Sequence, residues 1–437
     1  MLLYYTKLAL LALRQNPVMS ALMVLAMAIG IGVAGTTLTV YMAMDHNPMA
    51  HKNDRLYKVQ LKTAHDDFSP GTVDDLPKQL SYPDAMNLLE MGGGIRQVAM
   101  YRTGFIVKPE SDTIIPFSVL GRATSRDFFA MFDVPFIYGD TWSMATDDGG
   151  VNEVVIDKRL NDKLFNGTNS VGKTIDASSV IYTIVGVIET FTPTPLVYDL
   201  NNGSIHQGEQ IFLPIALAPT NKMPIWGNTN GWKREPSKSF EDRLNSERYW
   251  VQYWVEFASQ ADIAPYQQQL DNYVAQQKEL GRMPSDTAYG KLRSVGEWLV
   301  YRGVVDDDTK VIVALAFMFL GVCLVNMVGL LLAKFLRRAP HVGVRRALGA
   351  SQGQIFLQHL VEVAVIGLLG GLLGLVFAAI GLHGIQGLYQ NYSAITEFHP
   401  QMWALLLGIS AVAALLAGIL PAWRICQSSL SHHLKIQ

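Results

Sequence analysis

The sequence predicts a membrane protein with four transmembrane α-helices and a large mixed α/β extracytoplasmic domain, expected to be periplasmic, inserted between helices 1 and 2. Three observations predict it: four long runs nearly free of charge, an acidic hydrophilic stretch over 45–308, and basic residues gathered in the segments that remain. The chain has 437 residues, 49% of them apolar and 16% charged, with a mean hydropathy of +0.18. Soluble domains average about 25% charged residues. The composition therefore excludes a wholly water-soluble enzyme, and the 35 acidic residues between Asp45 and Asp308 exclude a wholly lipid-embedded chain.

A hydrocarbon core about 30 Å thick is crossed by about 20 apolar helical residues. Met19–Met44, Val311–Ala333 and Gln401–Trp423 carry no charge, and Ile355–Leu382 carries only Glu362. These place the spans at 19–44, 309–333, 355–383 and 401–423. The first is longer than a secretory h-region and no A-x-A-like site follows before His46, so it reads as a retained helix. Ahead of it, 1–18 suits an amphipathic helix on the membrane face. Residues 1–18, 334–354 and 424–437 together hold nine basic residues and no acid, whereas 45–308 holds 25 basic and 35 acidic ones. The positive-inside rule makes both termini and the 334–354 loop cytoplasmic, with 384–400 a short outer loop whose only formal charge is Glu397. An acidic, cysteine-free outer domain points to the inner membrane of a bacterium with a periplasm.

Cys323 and Cys426 lie in or beside spans, so the 45–308 domain must be held by an ordinary hydrophobic core. Alternation and β-branched content mark strands at Arg55–Leu61, Gln97–Val107, Ile114–Leu120, Ile181–Ile188 and Tyr249–Phe257. Asp84–Met91, Ser125–Met131, Lys158–Phe165 and Ile263–Leu280 read as helices, the second entered from Thr124 or Ser125 as N-cap. Asn201–Ser246 shows no period and reads as an insertion or long loop. Asp306, Asp307 and Asp308 read either as acids favoured by the positive end of the second span's dipole or as a solvated acidic turn, and in both readings mark the boundary between domain and membrane.

Gly167-Thr168-Asn169-Ser170-Val171-Gly172-Lys173-Thr174 matches the phosphate-cradling G-x-x-x-x-G-K-[ST] pattern. That chemistry needs strand, loop and helix in that order. Here a helix precedes and a strand follows, so a helix-to-strand turn is expected.

The 334–354 loop carries the sharpest pattern. Arg337 and Arg338 precede Pro340, which fits a first helical turn. Gly349 is placed to end that helix in a left-handed cap, and Ser351 with Gln354 forms a capping box for the third span. The result is a short basic helix between two spans. The alternative at these residues is a loop that only binds lipid headgroups.

Gly343-Val344-Arg345-Arg346-Ala347-Leu348-Gly349-Ala350-Ser351, followed by Ile355 and by the glycines Gly367, Gly370, Gly371 and Gly374, resembles the signature of FtsX-like, MacB-type ABC transporter permeases of the mechanotransmission class. The resemblance extends to Leu13-Arg14-Gln15-Asn16-Pro17, Phe136-Ile137-Tyr138-Gly139-Asp140, Leu164-Phe165-Asn166-Gly167 and Gly418-Ile419-Leu420-Pro421. It implies a homo- or heterodimer of four-helix permeases engaging a cytoplasmic ATPase on a separate chain, which carries the ATP and Mg. This chain is then a non-catalytic subunit that binds no cofactor, metal or nucleic acid. The coupling role falls on Arg337, Arg338, His341, Gly343, Val344, Arg345, Arg346, Leu348 and Gly349. The family often has an acid where this chain has His341. The resemblance further implies efflux through a periplasmic adaptor and an outer-membrane channel. The alternatives are a permease for lipoprotein release or cell-wall-hydrolase regulation, and a membrane-anchored sensor with no ATPase.

Within the spans, Gly367-x-x-x-Gly371 and Gly370-x-x-x-Gly374 are expected to put small residues on one helical face for close packing. Glu362 costs roughly 2.5–3.5 kcal/mol in lipid on insertion scales, so it is expected to face protein and make a structural hydrogen bond. His359 with Glu362 lacks the further ligands a metal site needs.

Overall fold

Every backbone group inside hydrocarbon must be satisfied within its own segment, so the uncharged runs fold as continuous helices. Among the described residues, four helices are long and apolar enough to cross a membrane. The computed structural model describes residues 2–72, 74, 76–109, 114–147, 149, 151–205, 207–235, 237–304, 307–388 and 400–427. Most of the expected 384–400 loop, with Glu397, lies outside the described residues, as do Asp306 and the end of the 424–437 tail.

In chain order, α1 (Leu2–Gln15) and α2 (Pro17–Asp45) lead into β1 (Leu56–Leu61), α3 (Tyr82–Met91), β2 (Arg96–Lys108), β3 (Phe117–Thr124) and β4 (Phe136–Gly139). Next come β5 (Glu153–Asp157), α4 (Lys158–Phe165), β6 (Thr174–Ala177), β7 (Val180–Ile188) and β8 (Ile211–Pro214). The insertion closes with β9 (Gln252–Glu256), α5 (Ile263–Glu279), β10 (Gly290–Ser294) and α6 (Val295–Tyr301). Long helices then return as α7 (Asp307–Arg337), α9 (Gln352–Leu388) and α10 (Pro400–Gln427), with the short α8 (Ala339–Ala347) between the first two. The chain divides into a helical unit, Met1–Asp45 with Val305–Gln437, and an inserted unit, His46–Val304.

In the helical unit, α2 turns Met23, Met27, Ile31 and Ala34 toward Leu320, Met327 and Leu331 of α7 and Val363 and Ile366 of α9. Its other side leaves Leu22, Leu25, Ile29 and Val33 exposed, as a face meeting lipid tails requires. Helix α1 buries Tyr5, Ala9 and Ala12 at helical spacing and exposes Leu10 and Leu11.

The inserted unit is built on a ten-stranded sheet ordered β10-β1-β9-β2-β3-β8-β5-β7-β4, with β6 pairing β2 and β7. Pairs β3–β8 and β5–β7 are parallel; the others are antiparallel. Both faces are covered. One core includes Leu88 of α3 and Tyr266 and Leu270 of α5. The other is aromatic, with Phe128, Phe129, Trp142, Tyr198, Trp254 and Trp298.

Three expectations are corrected. Asn201–Ser246 is not merely a loop, because β8 within it lies between β3 and β5 in the sheet. A buried ionic group pins the segment: Arg122 bonds Asp199 at 2.5 Å through Nη2 and Glu209 at 3.0 Å through Nε, and Tyr198 donates to Glu209 at 2.9 Å. Ser125 is not an N-cap; its Oγ accepts the Ala99 N–H, and the single turn Phe128–Met131 starts from Asp127. The strand expected at Ile114–Leu120 begins at Phe117 and runs on to Thr124. The G-x-x-x-x-G-K-T stretch is the turn from α4 to β6. Three of its N–H groups are already used, with Gly172 bonding Ile184 O, Lys173 bonding Ser170 O and Thr168 bonding Phe165 O, so these amides are not free to cradle a phosphate.

On the aromatic face, Lys58 of β1 is fully buried between Trp254 and Trp298, and its Nζ has no hydrogen-bond partner. Burial pulls its pKa down to about 7; Arg302 and Arg122 push the same way and Asp199 opposes. Above that value the unfolded chain holds a proton that the folded chain lacks, so this residue makes stability rise with pH. The rise should run from about pH 7 toward the ordinary lysine range and be flat below. Lys58→Met should remove it and raise the melting temperature at pH 7; thermal unfolding of both proteins from pH 6 to 10 checks this, and parallel curves would contradict it.

Candidate functional site: a basic elbow and its buried anchor

Arg338 leaves α7 with non-helical dihedrals, and Pro340 occupies the first turn of α8. The helix ends in a paired cap: Gly349 N–H bonds Arg346 O and Ala350 N–H bonds Arg345 O, both at 3.0 Å. Gly349 has φ +99°, a conformation that glycine adopts without strain. Ser351 and Gln354 then cap α9 reciprocally, at 3.1 and 3.2 Å. Two stops and two starts within fifteen residues fold the basic segment into a sharp elbow.

The elbow has two faces. Ala339 and Val342 are buried in the helical core. Val344 and Leu348, one turn apart, are 61% and 82% exposed. Exposed residues around them include His341 and Arg345, with Arg337 exposed at the end of α7. Two bare aliphatic side chains thus lie beside the exposed guanidinium groups of Arg337 and Arg345.

The predicted residues separate accordingly. Arg345 bonds Gln358 of α9, and Arg346 leans toward Cys426 O at 3.4 Å. Arg338 turns inward, its Nη1 3.4 Å from Glu362 and its Nη2 bonded to Ala12 O at 3.0 Å and Gln15 Oε1 at 3.1 Å. The partner that the sequence reading missed is Lys334. Its ammonium lies 2.8 Å from Glu362 and donates to Ser20 Oγ at 3.2 Å, with both charged side chains at most 2% exposed. His359 completes the cluster, with Nδ1 3.7 Å from Glu362 and its ring against Phe335. Glu362 therefore has an ion-pair partner rather than only a hydrogen bond. The signal was available: Lys334 directly follows the uncharged second run, and Glu362 lies two turns into the third, at matching depth. Among the described residues, no group of three His, Cys, Asp or Glu is placed to hold a metal ion.

The glycines correct one expectation. A Cβ on Gly367 or Gly371 would meet Ala414 or Ser410 of α10, at 2.2 and 2.4 Å. A Cβ on Gly370 or Gly374 would instead meet Met27 or Ile31 of α2, at 2.6 and 2.8 Å. The interleaved pairs thus serve two faces of α9, not one. Ser410 Oγ donates to Gly367 O at 2.8 Å across the first contact.

Residues 20–273 match the MacB-like periplasmic core domain, and residues 313–430 match the FtsX-like permease C-terminal region. The chain belongs to the MacB-like family of ABC transporter permeases. It is 23% identical over 369 residues to the macrolide export ATP-binding/permease protein MacB of Pasteurella multocida (strain Pm70), covering 80% of this chain and 50% of that protein. It is 23% identical over 348 residues to the protein of that name from Syntrophobacter fumaroxidans, covering 71% of this chain and 46% of that one. The chain spans about half the length of these curated relatives. It is also similar to the crystal structure of the periplasmic region of MacB from Actinobacillus actinomycetemcomitans, with 10% identity and a TM-score of 0.36 over 57% of this chain and 94% of that one. As a MacB-like permease, the molecule is a multi-pass membrane protein whose α/β insertion is a periplasmic core domain.

In this permease the glycine contacts set how closely α9 can approach its neighbours. Gly371→Leu should cost about 1–3 kcal/mol through overpacking against Ser410. Gly384→Leu on the same helix, where a Cβ meets nothing within 4 Å, should cost much less. Thermal unfolding in detergent compares the two; equal losses would contradict the assignment.

Proposed function

We propose that this chain is the transmembrane permease of an ABC machine in which α8 is the coupling helix for a cytoplasmic ATPase. The observation that carries the reading is the two-faced elbow: one side set in the helical core, the other presenting Val344 and Leu348 within a cationic rim. Such a knob fits a groove with an apolar floor and acidic edges, because buried aliphatic anchors supply affinity and rim charges supply orientation. The ATPase, on a separate chain, supplies ATP and Mg; this chain binds neither.

The segregation of nine basic residues from the acidic insertion supports an orientation with both termini and the elbow in the cytoplasm and the core domain in the periplasm of a bacterial inner membrane. Closure of the ATPase would push the elbow and bias the helical unit between two states that the periplasmic domain reads out. The exposed apolar stripe of α7, with Val311, Leu315, Met318, Val322 and Val325, is available to lipid or to a second permease subunit. The name of the relatives, a macrolide export protein, supports efflux as the task. A periplasmic adaptor and an outer-membrane channel are proposed as further partners.

Val344→Asp combined with Leu348→Asp should leave the permease folded, since both side chains are exposed. The pair should abolish co-purification of the ATPase from native membranes. Undiminished co-purification would refute the coupling role of α8.

A further inference from the structure

Resting on that reading, we propose that Arg338, Glu362 and Lys334 form a charge lock that carries displacement of α8 into α1, α2 and α9, and that they are positioning residues for energy coupling rather than docking residues.

The geometry supports the role in three steps. Arg338 is the residue between α7 and α8, so any movement of the elbow moves its backbone first. Its planar guanidinium reaches two elements at once: one nitrogen faces Glu362 of α9 at 3.4 Å, the other holds Ala12 O and Gln15 Oε1 at the end of α1. Lys334, one turn earlier on α7, pairs with the same carboxylate at 2.8 Å and with Ser20 near the start of α2. A single carboxylate is thus the meeting point of four helices at the root of the elbow.

The chemistry favours motion as a unit. Separating these groups leaves a charge uncompensated in a site of at most 2% exposure, whereas moving them together does not. The docking face is built from other side chains, so the lock and the docking step are separable by mutation.

The first test uses the full chain alone, in nanodiscs of phosphatidylethanolamine and phosphatidylglycerol, followed by hydrogen–deuterium exchange. Arg338→Gln should speed exchange of α1 amides roughly tenfold, the change expected on losing a charged hydrogen bond. Arg424→Gln, an equal loss of charge elsewhere, should not. Unchanged α1 protection in Arg338→Gln overturns the lock whether or not an ATPase is present.

The second test adds the ATPase that co-purifies with the wild-type chain, with ATP and magnesium. In the wild type, nucleotide should alter exchange in strands of the periplasmic domain. Lys334→Met combined with Glu362→Leu replaces the buried pair by apolar groups and keeps the fold. It should still capture the ATPase and permit hydrolysis, yet abolish that remote response. A response equal to wild type in this double variant overturns the proposal. Loss of ATPase capture on changing Val344 and Leu348 reports on the coupling role of α8 alone, so the two ideas fail separately.

Discussion

A charge cannot be left in hydrocarbon without a partner, and most of the helical unit follows from that one constraint. It keeps Met19–Met44, Val311–Ala333 and Gln401–Trp423 free of ionised groups, and it gathers the basic residues at helix ends. It also explains why Glu362 is tolerated: Lys334 and Arg338 converge on it from α7 and from the root of the elbow. The same pairing that removes the cost of the carboxylate ties α8 to the bundle. Under the proposed coupling, such a tie would have mechanical value as well as energetic value.

Glycine does in the helices what the ion cluster does at their ends. The two pairs on α9 bring α10 and α2 within Cβ-excluding distance on different faces, so α9 is held closely from two directions. Close backbone approach gives the unit dispersion contacts where no hydrophobic force distinguishes protein from lipid. The periplasmic domain solves a different problem. Without disulfides, it covers both faces of a ten-stranded sheet, and its aromatic face accommodates the Arg122–Asp199–Glu209 group that fixes the 201–246 segment.

Much of this was legible in the sequence because the signals are long or chemically strict. Uncharged runs, caps at Gly349 and Ser351, and helix Lys158–Phe165 come from local rules, and the structure follows them closely. What was not legible depends on tertiary neighbours. Strands β4, β5, β6, β8 and β10 are four or five residues long, too short to show alternation, and β8 is wholly buried amid Asn- and Gly-rich sequence. Ser125 satisfies every local condition for an N-cap, yet the Ala99 N–H of a neighbouring strand claims its oxygen. Within the elbow, Arg337, Arg338, Arg345 and Arg346 look alike in sequence. Only packing shows that Arg338 faces inward while Val344 and Leu348 face out.

The central claim is that the elbow and the folded domain sit in different aqueous compartments and are joined by the bundle. Single cysteines at Leu348 and at the exposed Ile115, introduced with Cys323 and Cys426 replaced by alanine, test it with a membrane-impermeant maleimide on spheroplasts. Ile115→Cys should react in intact spheroplasts and Leu348→Cys only after permeabilisation. Reaction of both from the same side would contradict the account.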